Sequence, residues 1–463
     1  MRLRVLFYLV FAWMVCSCIP NENPSTLPNI VLINIDDMGW KDLGFMGSEF
    51  YETPNLDALA KQGMVFTNGY AAAANCAPSR ACLMTGQWTP KHGIYTVASS
   101  ERGNARHRKL IPTKNTTTLA QKHKVFPEVL QQHGYSTCHA GKWHLSENPL
   151  DFGFEKNIGG GHNGHPSSYY PPYKNVKIEA GKNGHLTDLV MEQTLAFVDS
   201  VSGPFFLYYS PYAVHTPIQP ITTLLDKYEN KAGSQGQNNA AYATMVENLD
   251  RNIGLLLSKL KEKGHFEHTL IVFTSDNGGL YGITQQKPLR AGKGSYYEGG
   301  IREPFFFVWK DKIQPNTISE VPITNLDLFP TLLGAAGIEY EEDLLDGGNL
   351  LPLLSGSKNQ LERALYWHFP IYLQAYDEKN NENRDSLFRT RPGSVIRDAD
   401  WKLHYYFEDK GMELYNLKDD IGEGHNLVLE HPEKAMELLG QLTLWWQETQ
   451  APIPSELNPE YQE

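Results

Sequence analysis

The sequence predicts an α/β protein with a large, mostly parallel sheet sandwiched by helices and a smaller C-terminal subdomain built on an antiparallel sheet. Two observations carry this. From residue 29 onward, short apolar runs alternate with segments of helical periodicity, the rhythm of parallel strands joined by covering helices. After Leu354-Ser355-Gly356-Ser357 the pattern changes to short strands separated by turn residues, which suits a small antiparallel sheet. The expected division is 29–356 for the larger unit and 357–463 for the smaller.

The first run, Asn29-Ile30-Val31-Leu32-Ile33-Asn34-Ile35, is apolar almost throughout, as a strand buried on both faces requires. Thr53-Pro54 opens a helix with a capping residue and a proline at the first helical position, and Gly63 closes it. Residues 64–73 read as a strand or extended segment. Residues 126–133 read as a helix stopped by Gly134, ahead of a strand that begins at Tyr135, and 204–210 as a further strand. Tyr242, Met245, Val246, Leu249, Ile253, Leu256, Leu257 and Leu260 recur at helical spacing and predict a long amphipathic helix ended by Gly264. Residues 269–274 form another buried strand. In the C-terminal part, 364–369, 394–397, 401–407 and 413–417 are short strands. A last helix over 432–447 carries Trp445 and Trp446 as packing residues. In a mostly parallel sheet, ligands sit at the carboxyl ends of the strands.

The formal net charge of -12 argues against nucleic acid as a partner, and an anionic substrate would need a local positive pocket set against that field. At the N-terminus, Arg2 and Arg4 precede an apolar run over 5–15, too short to span a bilayer and typical of an export signal. The junction Val15-Cys16-Ser17-Cys18 resembles a bacterial lipoprotein signal, with residues 1–17 removed, Cys18 carrying the lipid and 18–28 serving as a tether. The expected location is the periplasm or outer-membrane surface of a Gram-negative bacterium, with a simply secreted protein as the alternative. Of five cysteines, Cys16 then leaves with the signal and Cys18 is lipidated; Cys82 and Cys138 either pair or remain buried thiols.

The chemistry starts at the end of the first strand with Asp36-Asp37. Adjacent carboxylates repel unless a cation lies between them. Ser275-Asp276-Asn277-Gly278-Gly279 also follows an apolar strand, and parallel topology would bring both strand ends to one edge. Four oxygen donors of this kind suit a hard cation such as Ca²⁺. Between them stands Asn75-Cys76-Ala77-Pro78-Ser79-Arg80-Ala81-Cys82-Leu83-Met84-Thr85-Gly86.

This Cys-x-Pro-Ser-Arg segment followed by Leu-x-Thr-Gly resembles the signature of the formylglycine-dependent sulfatases of the alkaline phosphatase superfamily. Asn75 departs from it, where a hydrophobic or small residue is usual. Gly134-Tyr135-Ser136-Thr137-Cys138-His139-Ala140-Gly141-Lys142-Trp143-His144 resembles the family's second signature. Ala213-Val214-His215-Thr216-Pro217 and the segment Gly292-Lys293-Gly294-Ser295-Tyr296-Tyr297-Glu298-Gly299-Gly300 match further segments in family order. The resemblance implies an alkaline phosphatase-like fold and sulfate-ester hydrolysis. It also implies conversion of Cys76 to formylglycine by a formylglycine-generating or sulfatase-maturating enzyme. It places Ca²⁺ on Asp36, Asp37, Asp276, Asn277 and the hydrate at position 76. Arg80, Lys142 and Lys293 are implied to clamp the hydrate and sulfate, His144 to take the hydrate proton, and His215 to protonate the leaving sugar oxygen.

Residues 159–173, rich in glycine, histidine and tyrosine, resemble loops of bacterial carbohydrate sulfatases that act on algal and animal polysaccharides. His162, His165, Tyr169 and Tyr170 are the expected substrate-binding residues, with His368 and residues 391–397 as further contacts. A sulfated oligo- or polysaccharide, from algal ulvan or galactan with animal glycosaminoglycans as the runner-up, is the expected partner. The rival readings are a phosphodiester or phosphonate monoester hydrolase of the same superfamily, and a catalytically inactive glycan-binding lipoprotein. Retention of the cysteine, the acids and the basic residues argues against the latter.

Overall fold

A computed structural model describes residues 27–179, 184–378 and 382–462. The expected signal and Cys18, the expected site of lipid attachment, lie outside the described residues. The larger sheet contains β1 (Asn29–Ile35), β2 (Met64–Tyr70), β3 (Ser136–Gly141), β4 (Lys156–Ile158), β5 (Phe205–Ser210), β6 (Thr269–Ser275), β7 (Arg302–Val308), β8 (Thr317–Ser319) and β9 (Ile323–Thr324). Their order is β4-β3-β5-β1-β6-β7-β2-β8, with β9 also on β2. β7 alone runs antiparallel to both its neighbours, β6 and β2. Two reversals restore direction, so β2 ends at the same edge as β1 and β6.

The continuous apolar runs are explained by burial on both faces. Val31, Ile33 and Ile35 pack into one core with the helices Leu186–Ser200 and Ala240–Glu262. Ile30 and Leu32 point into a second core with the helices Cys76–Thr85, Phe126–Gln132 and Leu328–Ala335. Pro54–Ala60 is helical as expected, but Thr53 caps it differently: its hydroxyl donates to the Asp57 carboxylate instead of accepting from the helix backbone.

The smaller sheet is antiparallel, in the order β10-β13-β14-β15, formed by β10 (Leu365–Phe369), β13 (Gly393–Asp398), β14 (Trp401–Tyr406) and β15 (Met412–Asn416). β11 (Leu373–Gln374) and β12 (Phe388–Thr390) make a separate ribbon. The helix Pro432–Glu448 covers the smaller sheet, burying Trp445 and Trp446 as packing residues. Cys82 and Cys138 are both buried and unbridged. No helix among the described residues is long and apolar enough to cross a membrane.

Register positions the chemistry. Ile35 pairs with Ser275 and Gly141 with Ser210, so Asp36, Asp276 and Lys142 leave the sheet at one level. The Asp276 N–H donates to Ile35 O at 2.9 Å, and the Lys142 N–H to Ser210 O at 2.6 Å.

Candidate active site

Cys76 is the first residue of the helix Cys76–Thr85, all ten residues of which are buried. Pro78 is tolerated because it lies in the first turn, where backbone N–H groups have no helical acceptor. Gly86 closes the helix in the left-handed conformation, φ 64°. Cys76 therefore sits at a fixed helix N-terminus facing the ends of β1 and β6.

Ligand atoms from Asp36, Asp37, Cys76 and His215 lie within 4.8 Å of one another. Lys142 Nζ reaches both oxygens of Asp36 at 2.7 Å. Lys293 Nζ lies 2.6 Å from Asp37 Oδ1, and His215 Nε2 3.5 Å from Asp37 Oδ2. Asn277 Nδ2 donates to Asp37 Oδ1 at 2.9 Å. Asp276 stands beside this cluster with both oxygens engaged, Oδ2 by Arg80 Nε at 2.7 Å and Oδ1 by the Asp37 N–H at 3.2 Å. Arg80 Nη1 donates to Lys142 O and Ser210 Oγ, which fixes the guanidinium plane. Asp37 and His144 both hold positive φ, 60° and 67°. Such backbone strain in non-glycine residues is maintained only where the surroundings over-determine it.

The electrostatics follow from burial. Burial lifts Asp36 to about 8 even with Lys142 on it, whereas Lys293 and His215 overcome burial at Asp37 and hold it low. Burial would raise the Cys76 thiol, but Lys142, Lys293 and hydrogen bonds from His144 and His215 pull it well below the usual range. Burial lowers His144 to about 4. At His215, burial and Lys293 push down while Asp37 and Asp36 push up, and the acids win. Three buried atoms of this site have no hydrogen-bond partner among the described residues: Asn277 Oδ1, Arg80 Nη2 and His144 Nδ1. An unpartnered amide oxygen next to the carboxylates, one of them pushed up by burial, fits a hard cation held by Asp36, Asp37, Asp276, Asn277 and the group at position 76.

The comparisons with known proteins agree with this geometry. The family described as Sulfatase matches residues 28–338, and that described as N-sulphoglucosamine sulphohydrolase, C-terminal, matches residues 292–448. The chain belongs to the sulfatase family. A sulfatase of Formosa agariphila is 31% identical, covering 97% of this chain and 94% of its own. The human N-acetylgalactosamine-6-sulfatase is also 31% identical, over 74% of this chain and 68% of its own. Among solved structures, Ps i-CgsB is 30% identical with a TM-score of 0.74, covering 93% of this chain and 95% of that one. A phosphonate monoester hydrolase of Agrobacterium radiobacter, 19% identical with a TM-score of 0.65, shares the fold. The sulfatase is thus a sulfuric ester hydrolase of alkaline phosphatase-like architecture.

Around the sulfatase centre, the loop over 159–173 only partly follows expectation. His162 is half-buried with its ring 6.4 Å from that of His144, and exposed His165 stacks on His215 at 5.7 Å. Tyr169 is corrected: it is fully buried, its hydroxyl donates to the carbonyls of Tyr212 and His215, and its ring stacks on His185. It buttresses the His215 turn and has no face for a sugar. The Tyr170 hydroxyl donates to Pro220 O at 2.8 Å, so this side chain also ties the loop down. His368 is buried between Ser394 Oγ and Pro452 O, and Arg391 is ion-paired with Asp385 and Glu408, so neither is a ligand contact.

Sequence reasoning did not single out Ser210, which orients Arg80, or His139, whose buried ring links Asn157 and Lys142 O. It also passed over Gly164. A Cβ there would lie 2.5 Å from His144 Cε1, and one on Gly160 would lie 2.5 Å from His139 Cε1. His139 was visible within its motif, but its contacts depend on tertiary placement.

Proposed function

We propose that this sulfatase is exported and removes sulfate esters from polysaccharide fragments, foremost a sulfated algal galactan or ulvan, using a formylglycine made from Cys76 and one Ca²⁺. The convergence of Cys76, Asp36, Asp37 and His215 within 4.8 Å at the end of a parallel sheet carries the reading. Ps i-CgsB has been solved in complex with k-i-k-neocarrahexaose at 30% identity to this chain, which supports a galactan. The Ser17-Cys18 junction supports lipid anchoring through Cys18 at the periplasmic or cell-surface side of the outer membrane.

An aldehyde hydrate made at position 76 would supply a hydroxyl nucleophile toward sulfur and a second hydroxyl able to give up its proton. A bound Ca²⁺ supplies positive charge against the sulfate oxygens. Arg80, with Nη2 free of any hydrogen bond and its plane fixed by Ser210 and Asp276, is placed to stabilise charge developing on sulfate. Lys142 and Lys293 provide the positive pocket that an acidic chain needs for an anionic substrate. His144, held neutral by burial, takes the proton from position 76. His215, biased toward its protonated form by Asp37, delivers a proton from Nε2 to the departing sugar oxygen.

Sulfate release from defined sulfated oligosaccharides, measured by ion chromatography beside matched phosphate esters, tests the activity. Phosphate-ester turnover exceeding sulfate-ester turnover would overturn it in favour of a phosphohydrolase. Mass spectrometry of the peptide containing position 76 should show the aldehyde or its hydrate, and an active preparation carrying only the thiol would refute the nucleophile. Loss of detergent partitioning in Cys18→Ala tests the anchor; unlipidated protein in the medium would count against it.

A further inference from the structure

Aromatic side chains in this molecule are turned inward. Among the described residues, every phenylalanine, tyrosine and tryptophan is buried or half-buried except Tyr376, which is 55% exposed. A single exposed apolar side chain is ordinary on a protein surface. What distinguishes Tyr376 is where it stands and what holds it.

It stands at the rim of the reaction centre. Tyr376 lines a cavity of about 60 Å³ together with Tyr281, Gly292, Lys293 and Arg389. Lys293 Nζ lies 2.6 Å from Asp37 Oδ1, and His215 Nε2 lies 3.5 Å from the other oxygen of that carboxylate. The cavity is thus one carboxylate away from the residue read as protonating the departing sugar oxygen. It is too small for a sugar ring, which would rest at its mouth, where Tyr376 is the exposed aromatic side chain.

Tyr376 is also held still. The Arg389 guanidinium carbon lies 3.5 Å from the ring centre and covers one face, so the exposure belongs to the other face and the edge. Arg389 is fixed in turn, with Nε donating to Gln374 O at 3.1 Å and Nη1 to Lys293 O at 3.2 Å. Gly294, φ 84°, permits this approach, since a Cβ there would meet the Arg389 side chain at 2.9 Å. The hydroxyl of Thr390, the next residue, donates to Gly294 O. A tyrosine ring ordered before binding offers a large flat surface at little further entropic cost.

We propose that Tyr376 is a stacking platform for a pyranose ring adjoining the sulfated unit of the substrate, with Arg389 as the support behind it. This rests on the glycan reading above and deepens it: the enzyme recognises a stretch of chain rather than an isolated sulfated sugar. The C–H face of a pyranose matches an aromatic face, while its hydroxyls, at the ring edge, keep their water. One ring is too small a patch for a protein partner, which needs roughly 800 Å² on each side.

The test measures kcat/KM for wild type, Tyr376→Ala and Tyr376→Phe, with Arg389 left intact because it also holds the Lys293 backbone. The probes are a sulfated monosaccharide and a tetrasaccharide containing the same sulfated unit, one such pair from galactan and one from ulvan, together with 4-nitrophenyl sulfate. On the pair that is turned over, wild type should prefer the tetrasaccharide by at least ~10-fold, the scale of one well-packed aromatic contact. Tyr376→Ala should remove most of that preference, and Tyr376→Phe, which keeps the ring and loses the hydroxyl, should retain it. The platform is overturned by a wild type without the preference, or by its survival in Tyr376→Ala, whether both substrates fall together or neither falls. It is equally overturned if Tyr376→Phe behaves as Tyr376→Ala, since the contact is then the hydroxyl and not the ring face. Turnover of the aryl sulfate with none of the glycans overturns the glycan reading itself, and the platform with it.

Discussion

Lys293 belongs to one buried charge network and Glu298, five positions on, to another. In the second, Lys402 Nζ lies between Glu298 at 2.8 Å and Glu423 at 2.9 Å, with His404 on Glu423 at 3.0 Å. The other oxygen of Glu298 accepts from Tyr70 and Arg302, and that of Glu423 from the Glu298 N–H. Every side-chain polar atom of Glu298, Glu423, Lys402 and His404 is paired or exposed, and the cluster fastens the smaller sheet to the start of β7. Lys402, Arg302 and Arg397 overcome burial and hold Glu298 down at about 2. The network at Cys76 is as deeply buried, yet Asn277, Arg80 and His144 each keep an unpartnered atom, and burial lifts one of its acids. A buried network complete in itself is a fastening; one that is incomplete is shaped for groups the chain does not supply.

Substitutions can break this contrast. Cys76→Ala should lower turnover of any sulfate ester on the order of 10³-fold or more, about 4 kcal/mol of transition-state stabilisation, with an unchanged thermal melt. A melt that fell with the activity would make position 76 structural. Lys402→Met should do the reverse, costing about 3 kcal/mol because two buried carboxylates lose their cation, while turnover per folded molecule persists. Urea unfolding measures the first quantity and titrated active sites the second. Since the folded value of Glu298 lies below its ordinary 4.5, its stabilisation is present above that pH and lost as pH falls toward about 2.

Metal removal sharpens the contrast further. Chelation should abolish turnover and lower the melting temperature, and Ca²⁺ at a hundredfold excess over its dissociation constant should restore about 2.7 kcal/mol. Asn277→Ala should weaken that restoration, measured by calcium-dependent melting. Full activity in a sample shown metal-free by elemental analysis would refute the cation. The smallest effect expected is His165→Ala, about 10-fold or 1.4 kcal/mol on glycan desulfation, with aryl-sulfate turnover within a few-fold. Equal loss on both would assign His165 to the support of His215, on which it stacks.

Much of this was legible in the sequence. The runs that became β1 and β6, the long helix Ala240–Glu262 and the four short strands of the smaller sheet carry periodicity strong enough to survive any context. The acids and the cysteine motif announced themselves by residue type. Two features were hidden. The reversal at β7 is a matter of pairing, and Arg302–Val308 reads as apolar whichever way it runs. Tyr169 and Tyr170 look like sugar platforms because tyrosine is amphipathic, and only tertiary contacts turn their hydroxyls onto backbone carbonyls.

The contact of Gly160 and Gly164 with the His139 and His144 rings bears on how such an enzyme can change over generations. Because a methyl group at either glycine would fall 2.5 Å from an imidazole carbon, drift at these two positions reaches the reaction before it reaches the sugar. Positions 162, 163, 165, 167 and 168 of the same loop, none of them buried, face no such barrier. A lineage adapting to a new glycan, or a library built to imitate one, therefore has a short alphabet of permitted sites within the loop. The glycan recognition proposed for this loop can diversify only in the gaps between fixed glycines, which leaves the proton transfer proposed at His144 unchanged.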